Sequence, residues 1–225
     1  MAQKVQNENL NLLCVPSSFQ SKQLLIKNNL KITDLECINQ NNIDLTIDGA
    51  DEVDSNLNCI KGGGGCHLQE KIIAYFSKKF VIIADSRKKS VKFGDNWTNG
   101  IPIEVLPNAY RMIQEKIESK YGGQALLRES NGTKSKAGPV ISDNGNFIVD
   151  WIFENNETNG TYDWKTINNF IKMIPGVIET GCLYYLFILK FFFVFNLIIF
   201  IVFIEMADMA YFGMQDGNVT IVKKE

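Results

Sequence analysis

Ile60-Lys-Gly-Gly-Gly-Gly-Cys-His-Leu-Gln-Glu-Lys71, followed by Phe80-Val-Ile-Ile-Ala-Asp85, is the stretch that decides the fold. Four glycines break the chain, and beyond them Leu68, Ile72, Ile73 and Phe76 recur at helical spacing. Residues 80–84 form a short, wholly apolar run, the pattern expected of a strand buried on both faces. Upstream, Ile43, Leu45 and Ile47 alternate with polar residues and end at Asp48-Gly49, a strand running into a turn. Strand, glycine turn, helix and strand in this order predict a parallel sheet with helical crossovers. Such sheets place ligands beyond the carboxyl ends of their strands. Asp48, Asp51, Lys61 and Asp85 all stand next to strand ends or in the turns that follow.

The second half reads differently. Residues 108–121 have the pattern of an amphipathic helix, and a further helix is expected over 163–173. Pro139-Val-Ile-Ser142 and Phe147-Ile-Val-Asp-Trp151 flank Asp143-Asn-Gly-Asn146, a strong hairpin signal. A last hairpin is expected from Ala210-Tyr-Phe-Gly213 and Val219-Thr-Ile-Val222 around Asp216-Gly217. Near the start, Val15-Pro-Ser-Ser-Phe19 reads as a loop entering a short helix. The expected fold class is α/β, with a small α+β unit inserted in or appended to the parallel sheet. The expected division is 1–103 with 205–225 as the parallel-sheet domain, 104–182 as the small domain, and 183–204 as an apolar insertion.

Composition narrows the partners. With 45% hydrophobic and 21% charged residues, the chain can build a core. A net charge of -2, with no basic run, argues against nucleic acid and anionic membrane and leaves a small-molecule substrate as the better expectation. Five cysteines without a Cys-x-x-Cys pair, and one histidine, make a metal site an unexpected reading. Reduced thiols and a start lacking a signal-peptide core point to the cytoplasm.

Residues 183–204 do not fit this picture, being apolar apart from Lys190 and Asn196. As a helix the stretch would reach about 33 Å, enough to cross a bilayer. Lys190 weakens that reading, since a central lysine costs roughly 2.5–3.5 kcal/mol on insertion scales. The stretch consists almost wholly of residues whose codons need only A and T, which favours translation of an unspliced AT-rich intron over a true span. Unless it is a true span, no membrane partner is expected.

Three constellations carry chemistry. Asp48-Gly-Ala-Asp51-Glu52 sets two carboxylates astride a glycine turn at a strand end, where paired carboxylates can shift each other's proton affinity. Lys61-Gly-Gly-Gly-Gly65 opens a helix carrying Glu70 and Lys71. Its glycines allow close backbone approach, and unpaired helix-start N–H groups favour an anion. Asp85-Ser-Arg87-Lys88 supplies a phosphate-compatible lysine just past a strand. Singly, the first and third are better explained by a solvated turn or charge and the glycine run equally well by a flexible surface turn; His67 beside the glycines is no evidence for a ligand or a base.

In unbroken order, these three motifs with Val15-Pro-Ser-Ser-Phe-Gln-Ser21, Ile101-Pro-Ile-Glu-Val105, Ser142-Asp-Asn-Gly-Asn146, Ile174-Pro-Gly-Val177 and Met206-Ala-Asp208 with Tyr211-Phe-Gly213 resemble the ribose-5-phosphate isomerase A family. The resemblance implies a Rossmann-like parallel-sheet domain with a smaller, ferredoxin-like α+β domain. It also implies metal-free and cofactor-free interconversion of D-ribose 5-phosphate and D-ribulose 5-phosphate through an enediolate, in the non-oxidative pentose phosphate pathway. By the same resemblance Glu70 is the base, and Lys61 with the amides of Gly62, Gly63 and Gly64 stabilises the enediolate oxygen. Asp48 and Asp51 hold sugar hydroxyls and one assists ring opening, Gly49 and Ala50 line the sugar site, and Lys88 contacts the phosphate. The partner implied is a small sugar phosphate, and the assembly a homo-oligomer. The family's Gly-Thr-Gly-Ser-Thr phosphate loop and first strand have no match in residues 1–40, so the chain is expected to be less active than a form carrying them. The alternatives are a non-catalytic sugar-phosphate-binding module and a degenerate, membrane-tethered homologue.

Overall fold

The computed structural model describes residues 2–39, 43–130, 136–154, 162–183, 188–194, 197–203, 209–214 and 216–223. The chain starts with α1 (Ala2–Asn7), β1 (Leu13–Cys14), α2 (Phe19–Lys27) and β2 (Lys31–Ile32). Then come β3 (Thr46–Asp48), β4 (Glu52–Val53), β5 (Cys59–Ile60), α3 (His67–Tyr75) and β6 (Phe80–Asp85). The middle consists of β7 (Ile101–Val105), α4 (Tyr110–Tyr121), β8 (Gln124–Leu127), β9 (Phe147–Ile152), α5 (Trp164–Lys172) and β10 (Val177–Thr180). The chain continues through β11 (Cys182–Leu183), β12 (Ile188–Val194), β13 (Leu197–Phe203), β14 (Met209–Gly213) and β15 (Val219–Lys223).

The expected parallel sheet is present. Its order is β15-β14-β6-β3, with β3 and β14 parallel to β6 and β15 closing it antiparallel to β14 as the last hairpin. Phe80, Ile82, Ala210 and Phe212 turn inward against α3 and the β4–β5 turn. The other face departs from expectation: Ile83 is 54% exposed, and Ile47 and Ile221 are exposed too. β6 is therefore not buried on both faces, because no described element packs over its outer side. On α3 the buried side chains are His67, Lys71, Ile73 and Ala74, while Ile72 points to solvent. A lysine replaces an isoleucine on the buried side because a carboxylate awaits it there.

The second sheet is antiparallel, ordered β10-β7-β9-β8, with α4 and α5 against it. β7 runs across the expected domain border at residue 103, and its whole length pairs with β9. Trp151 sits at the centre of this core, ringed by Tyr121, Phe153, Tyr162 and Trp164 at 5.8–6.4 Å between ring centroids. Its indole N–H donates to Gly122 O at 3.0 Å, so burial leaves no orphan donor. Gly122 ends α4 at φ 70°, the left-handed position where glycine avoids a Cβ penalty.

A small three-stranded sheet, β11-β5-β4, lies between the two larger ones in the chain's path. The Gly181 N–H donates to Pro102 O at 2.7 Å and its carbonyl accepts from Lys61 N at 2.8 Å. A Cβ at Gly181 would lie 2.0 Å from Lys61 O, so only glycine permits this passage. The chain thereby fixes the backbone of Lys61 from the side of the antiparallel sheet.

The less favoured reading of the 183–204 stretch was a helix long enough to span a membrane. β12 and β13 instead pair antiparallel, with Ile188 opposite Phe203 and Val194 opposite Leu197. Among the described residues, no helix is long and apolar enough to cross a membrane. Residues 184–187, 195–196 and 204, and Met206 and Asp208 of the last motif, lie outside the described residues.

Candidate active site

Three short connections converge on Lys61. β3 ends at Asp48, and the Gly49-Ala50-Asp51 turn leads into β4. β5 delivers Lys61, and the glycine turn then reverses into α3, whose first turn carries Glu70. The Gly65 N–H closes the turn on Gly62 O at 2.9 Å, with Gly62 and Gly65 at φ 98° and 81°, where an L side chain is strained.

The Lys61 ammonium is 4% exposed and lies 2.9 Å from Asp48 Oδ2 and 3.1 Å from Glu70 Oε2. The ammonium also donates to the carbonyl of Gly49, so it is held between two carboxylates and one backbone oxygen. The two carboxylates are themselves only 17% and 18% exposed, so the triad is largely withdrawn from water. Burial alone would lower the Lys61 pKa, but Asp48 and then Glu70 outweigh it, and the lysine stays charged above its ordinary range. Glu70 goes the other way. Burial raises its pKa, Lys61 pulls it down, and Asp48 and Asp51 push it up, leaving it above the usual carboxylate range.

Asp51 faces the same turn and accepts from the Gly63 N–H at 2.7 Å. A Cβ on Gly63 would sit 2.7 Å from Asp51 Oδ1 and 2.9 Å from Trp97 Cη2, whereas one on Gly64 would meet nothing within 4 Å. Gly49 donates its N–H to Asp48 Oδ1 at 2.7 Å, and Ala50 packs against the inner face of the parallel sheet. Lys88, in the short turn after β6, holds its ammonium 5.1 Å from the centroid of the Trp97 ring. Asp48, Asp51, Lys61 and Glu70 thus surround the glycine turn, and Lys88 approaches it through Trp97. Asp85 instead pairs with Arg87 at 2.7 Å and is not brought to the turn.

Spacing did not point to Trp97 or to Arg128, which reaches the turn from β8's end. The Arg128 Nη1 donates to Gly62 O at 3.0 Å and to Gly63 O at 3.1 Å. A charged residue closing an otherwise apolar strand segment, Gln124-Ala-Leu-Leu-Arg128, was the available signal. Next to this cluster lies a second buried ion pair. The Lys71 ammonium donates to Glu179 Oε1 at 2.8 Å and to Thr180 O and Cys182 O at 3.1 Å each. Lys172 adds a contact to Glu179 at 3.0 Å. Burial would raise the Glu179 carboxyl, but Lys71 and Lys172 hold it below its ordinary range. This pair pins α3, and so Glu70, to β10. His67 belongs to the same packing: burial pushes its imidazole down to about 3, aided by Lys71, so it is neutral at ordinary pH. Its neutral ring packs under Gly62.

An α/β sheet with a buried lysine between two carboxylates at a glycine-lined helix start sets a cation and two possible proton carriers around one turn. The family model described as Ribose 5-phosphate isomerase A (phosphoriboisomerase A) matches residues 13–190, and the chain belongs to that family. A ribose-5-phosphate isomerase of Homo sapiens is 46% identical over 224 residues, which cover 100% of this chain and 62% of that relative. The Dictyostelium discoideum ribose-5-phosphate isomerase is 45% identical, covering 92% of this chain and 78% of its own length. A solved D-ribose-5-phosphate isomerase in complex with phospho-erythronic acid superposes with a TM-score of 0.79 at 33% identity, over 99% of this chain and 83% of that one. The chain spans less than two thirds of the length of the human relative.

Proposed function

We propose that this protein interconverts D-ribose 5-phosphate and D-ribulose 5-phosphate, a step of the non-oxidative pentose phosphate pathway. The observation that carries the reading is Glu70, a carboxylate of raised pKa, held 3.1 Å from the Lys61 ammonium at the glycine turn. Glu70 removes the proton on C2 of the open-chain aldose, and the C–H electron pair forms the C1–C2 double bond of the enediolate. The carbonyl oxygen at C1 takes the negative charge beside Lys61 and the glycine amides, and protons shift between the two oxygens. Glu70 then returns a proton to C1, leaving the carbonyl at C2. Both electrons stay within the sugar, so the step as written balances without an added oxidant or reductant.

Asp48 and Asp51 hold the sugar hydroxyls, one of them assisting ring opening, with Gly49 and Ala50 lining that side. Lys88, steadied over Trp97, faces the phosphate. Because the resting ammonium is held between the Asp48 and Glu70 carboxylates, a substrate oxygen reaches it by displacing one of them. Displacement of Glu70 frees the carboxylate for C2 as the ammonium turns to the oxygen. A raised proton affinity also suits a group that must hold and release a proton within one turnover. The free thiols fit a reducing cytoplasm, and association of several copies is the expectation that the family carries.

The test is Glu70→Gln. Turnover should fall about 10²–10⁴-fold, the usual worth of a positioned general base, while ribose 5-phosphate still binds. Wild-type turnover in that variant would defeat the reading.

A further inference from the structure

Arg128 stands outside the proton-transfer triad, yet its guanidinium reaches the backbone that the triad shares. We propose that Arg128, oriented by Asp150, is a positioning residue that holds the Gly63 N–H on Asp51 and sets the direction of the Gly64 N–H toward the reacting oxygen. This inference rests on the isomerase reading above and names the side chain that arms its glycine turn.

The geometry follows from the planarity of the peptide bond. In a trans peptide the C=O and the following N–H point opposite ways. Arg128 Nη1 draws Gly62 O to itself at 3.0 Å, and the Gly63 N–H accordingly points away from Arg128, donating to Asp51 Oδ2 at 2.7 Å. The same nitrogen holds Gly63 O at 3.1 Å, which turns the Gly64 N–H away from the arginine as well. Among the described residues, the Gly64 N–H meets no acceptor. One nitrogen with two hydrogens therefore fixes two consecutive peptide planes, across glycines that would otherwise adopt many conformations.

Asp150 fixes Arg128 in turn. Nε donates to Asp150 Oδ2 at 2.7 Å and Nη2 to Oδ1 at 2.5 Å, the bidentate arrangement that a planar guanidinium matches and an ammonium cannot. Both side chains are largely buried, at 17% and 18% exposed, and Asp150 comes from the central strand pair β7–β9. The antiparallel sheet thus reaches across to the glycine turn through one rigid fork. A lysine in place of Arg128 keeps the charge but cannot satisfy Asp150 at two points and both carbonyls together.

The experiment compares Arg128→Lys, Arg128→Ala and Glu70→Gln with the wild-type protein. Measured are kcat and KM for ribose 5-phosphate, affinity for phospho-erythronic acid, whose carboxylate resembles the charge of the enediolate, and thermal melting. Both Arg128 variants should lose about 10- to 100-fold in kcat, the usual loss when a supporting shell is removed, with KM changed far less. Phospho-erythronic acid should weaken more than ribose 5-phosphate, and added guanidinium, but not ammonium, should restore part of the Arg128→Ala turnover. Unchanged kcat in Arg128→Lys overturns the proposal. So does a loss that tracks melting, affects both ligands equally and resists guanidinium, because the residue would then be only structural. If Glu70→Gln also turns over normally, the isomerase reading itself has failed; if only the Arg128 variants are normal, this inference alone has.

Discussion

Replacing Lys61 with methionine removes one charge while keeping the length and apolar stem of the side chain. In the folded protein that ammonium is 4% exposed and lies within 3.1 Å of both Asp48 and Glu70. Without it the two carboxylates face each other with no cation between them. Breaking a buried ion pair from one side costs about 3–5 kcal/mol. That is a large share of the roughly 5–15 kcal/mol by which domains are stable, so a clear drop in the denaturation midpoint is expected. Uptake of a proton by Glu70 relieves part of the cost. Lys61 is the strongest influence holding the Glu70 pKa down, so its loss raises that pKa further. A base with raised pKa is protonated at higher pH, which moves the acidic limb of the rate profile upward. Loss of the charge that stabilises the enediolate oxygen should lower kcat by about 10²–10³-fold. The assay follows ribulose 5-phosphate formation from pH 5 to 9, beside urea unfolding. Near-wild-type kcat together with an unshifted acidic limb would refute the reasoning.

His67 should make stability depend on pH below its unfolded pKa. The buried ring takes a proton only near pH 3, whereas the unfolded chain takes one near 6.5. The unfolded state therefore binds more protons across this window, and stability falls by up to about 1.4 kcal/mol per pH unit as pH drops from 6.5 toward 3. Urea unfolding of the wild type and of His67→Gln should diverge in that slope and run parallel above pH 7; parallel slopes throughout would refute it. Gly63→Ala should displace Asp51 and Trp97, costing about 1–3 kcal/mol of stability along with turnover. Gly64→Ala meets no neighbour in the protein, so its melting temperature should hold, while the added methyl should obstruct the sugar and lower kcat/KM; unchanged kcat/KM would count against close approach of substrate to this turn.

The site was legible because it is local. Asp48, Asp51, Lys61 and Glu70 fall within 23 residues, on a strand end, a glycine turn and one helical turn. Arg128 was not legible because it arrives from another sheet, 66 residues beyond Gly62. Lys71 beside Glu70 looks like helix surface until Glu179, 108 residues away, meets it. The outer face of β6 misled for the opposite reason: an apolar run reports hydrophobicity, not which neighbours cover it. For the 183–204 stretch only the helical alternative is overturned, because an unbroken apolar run has no period to distinguish strand from helix. Its isoleucines and phenylalanines are in fact strong strand formers. The β4–β5–β11 sheet consists of two-residue strands, too short to leave a pattern.

The central claim is that the carboxylate of Glu70 itself breaks the C2–H bond. Ribose 5-phosphate carrying deuterium at C2, followed by NMR with wild-type protein and with Glu70→Gln, reads that event directly, whatever becomes of the deuteron. The account predicts steady loss of the C2 deuterium with the wild type, and retention with the variant although the sugar still binds it. Equal rates of loss from both proteins would mean that another group takes the proton.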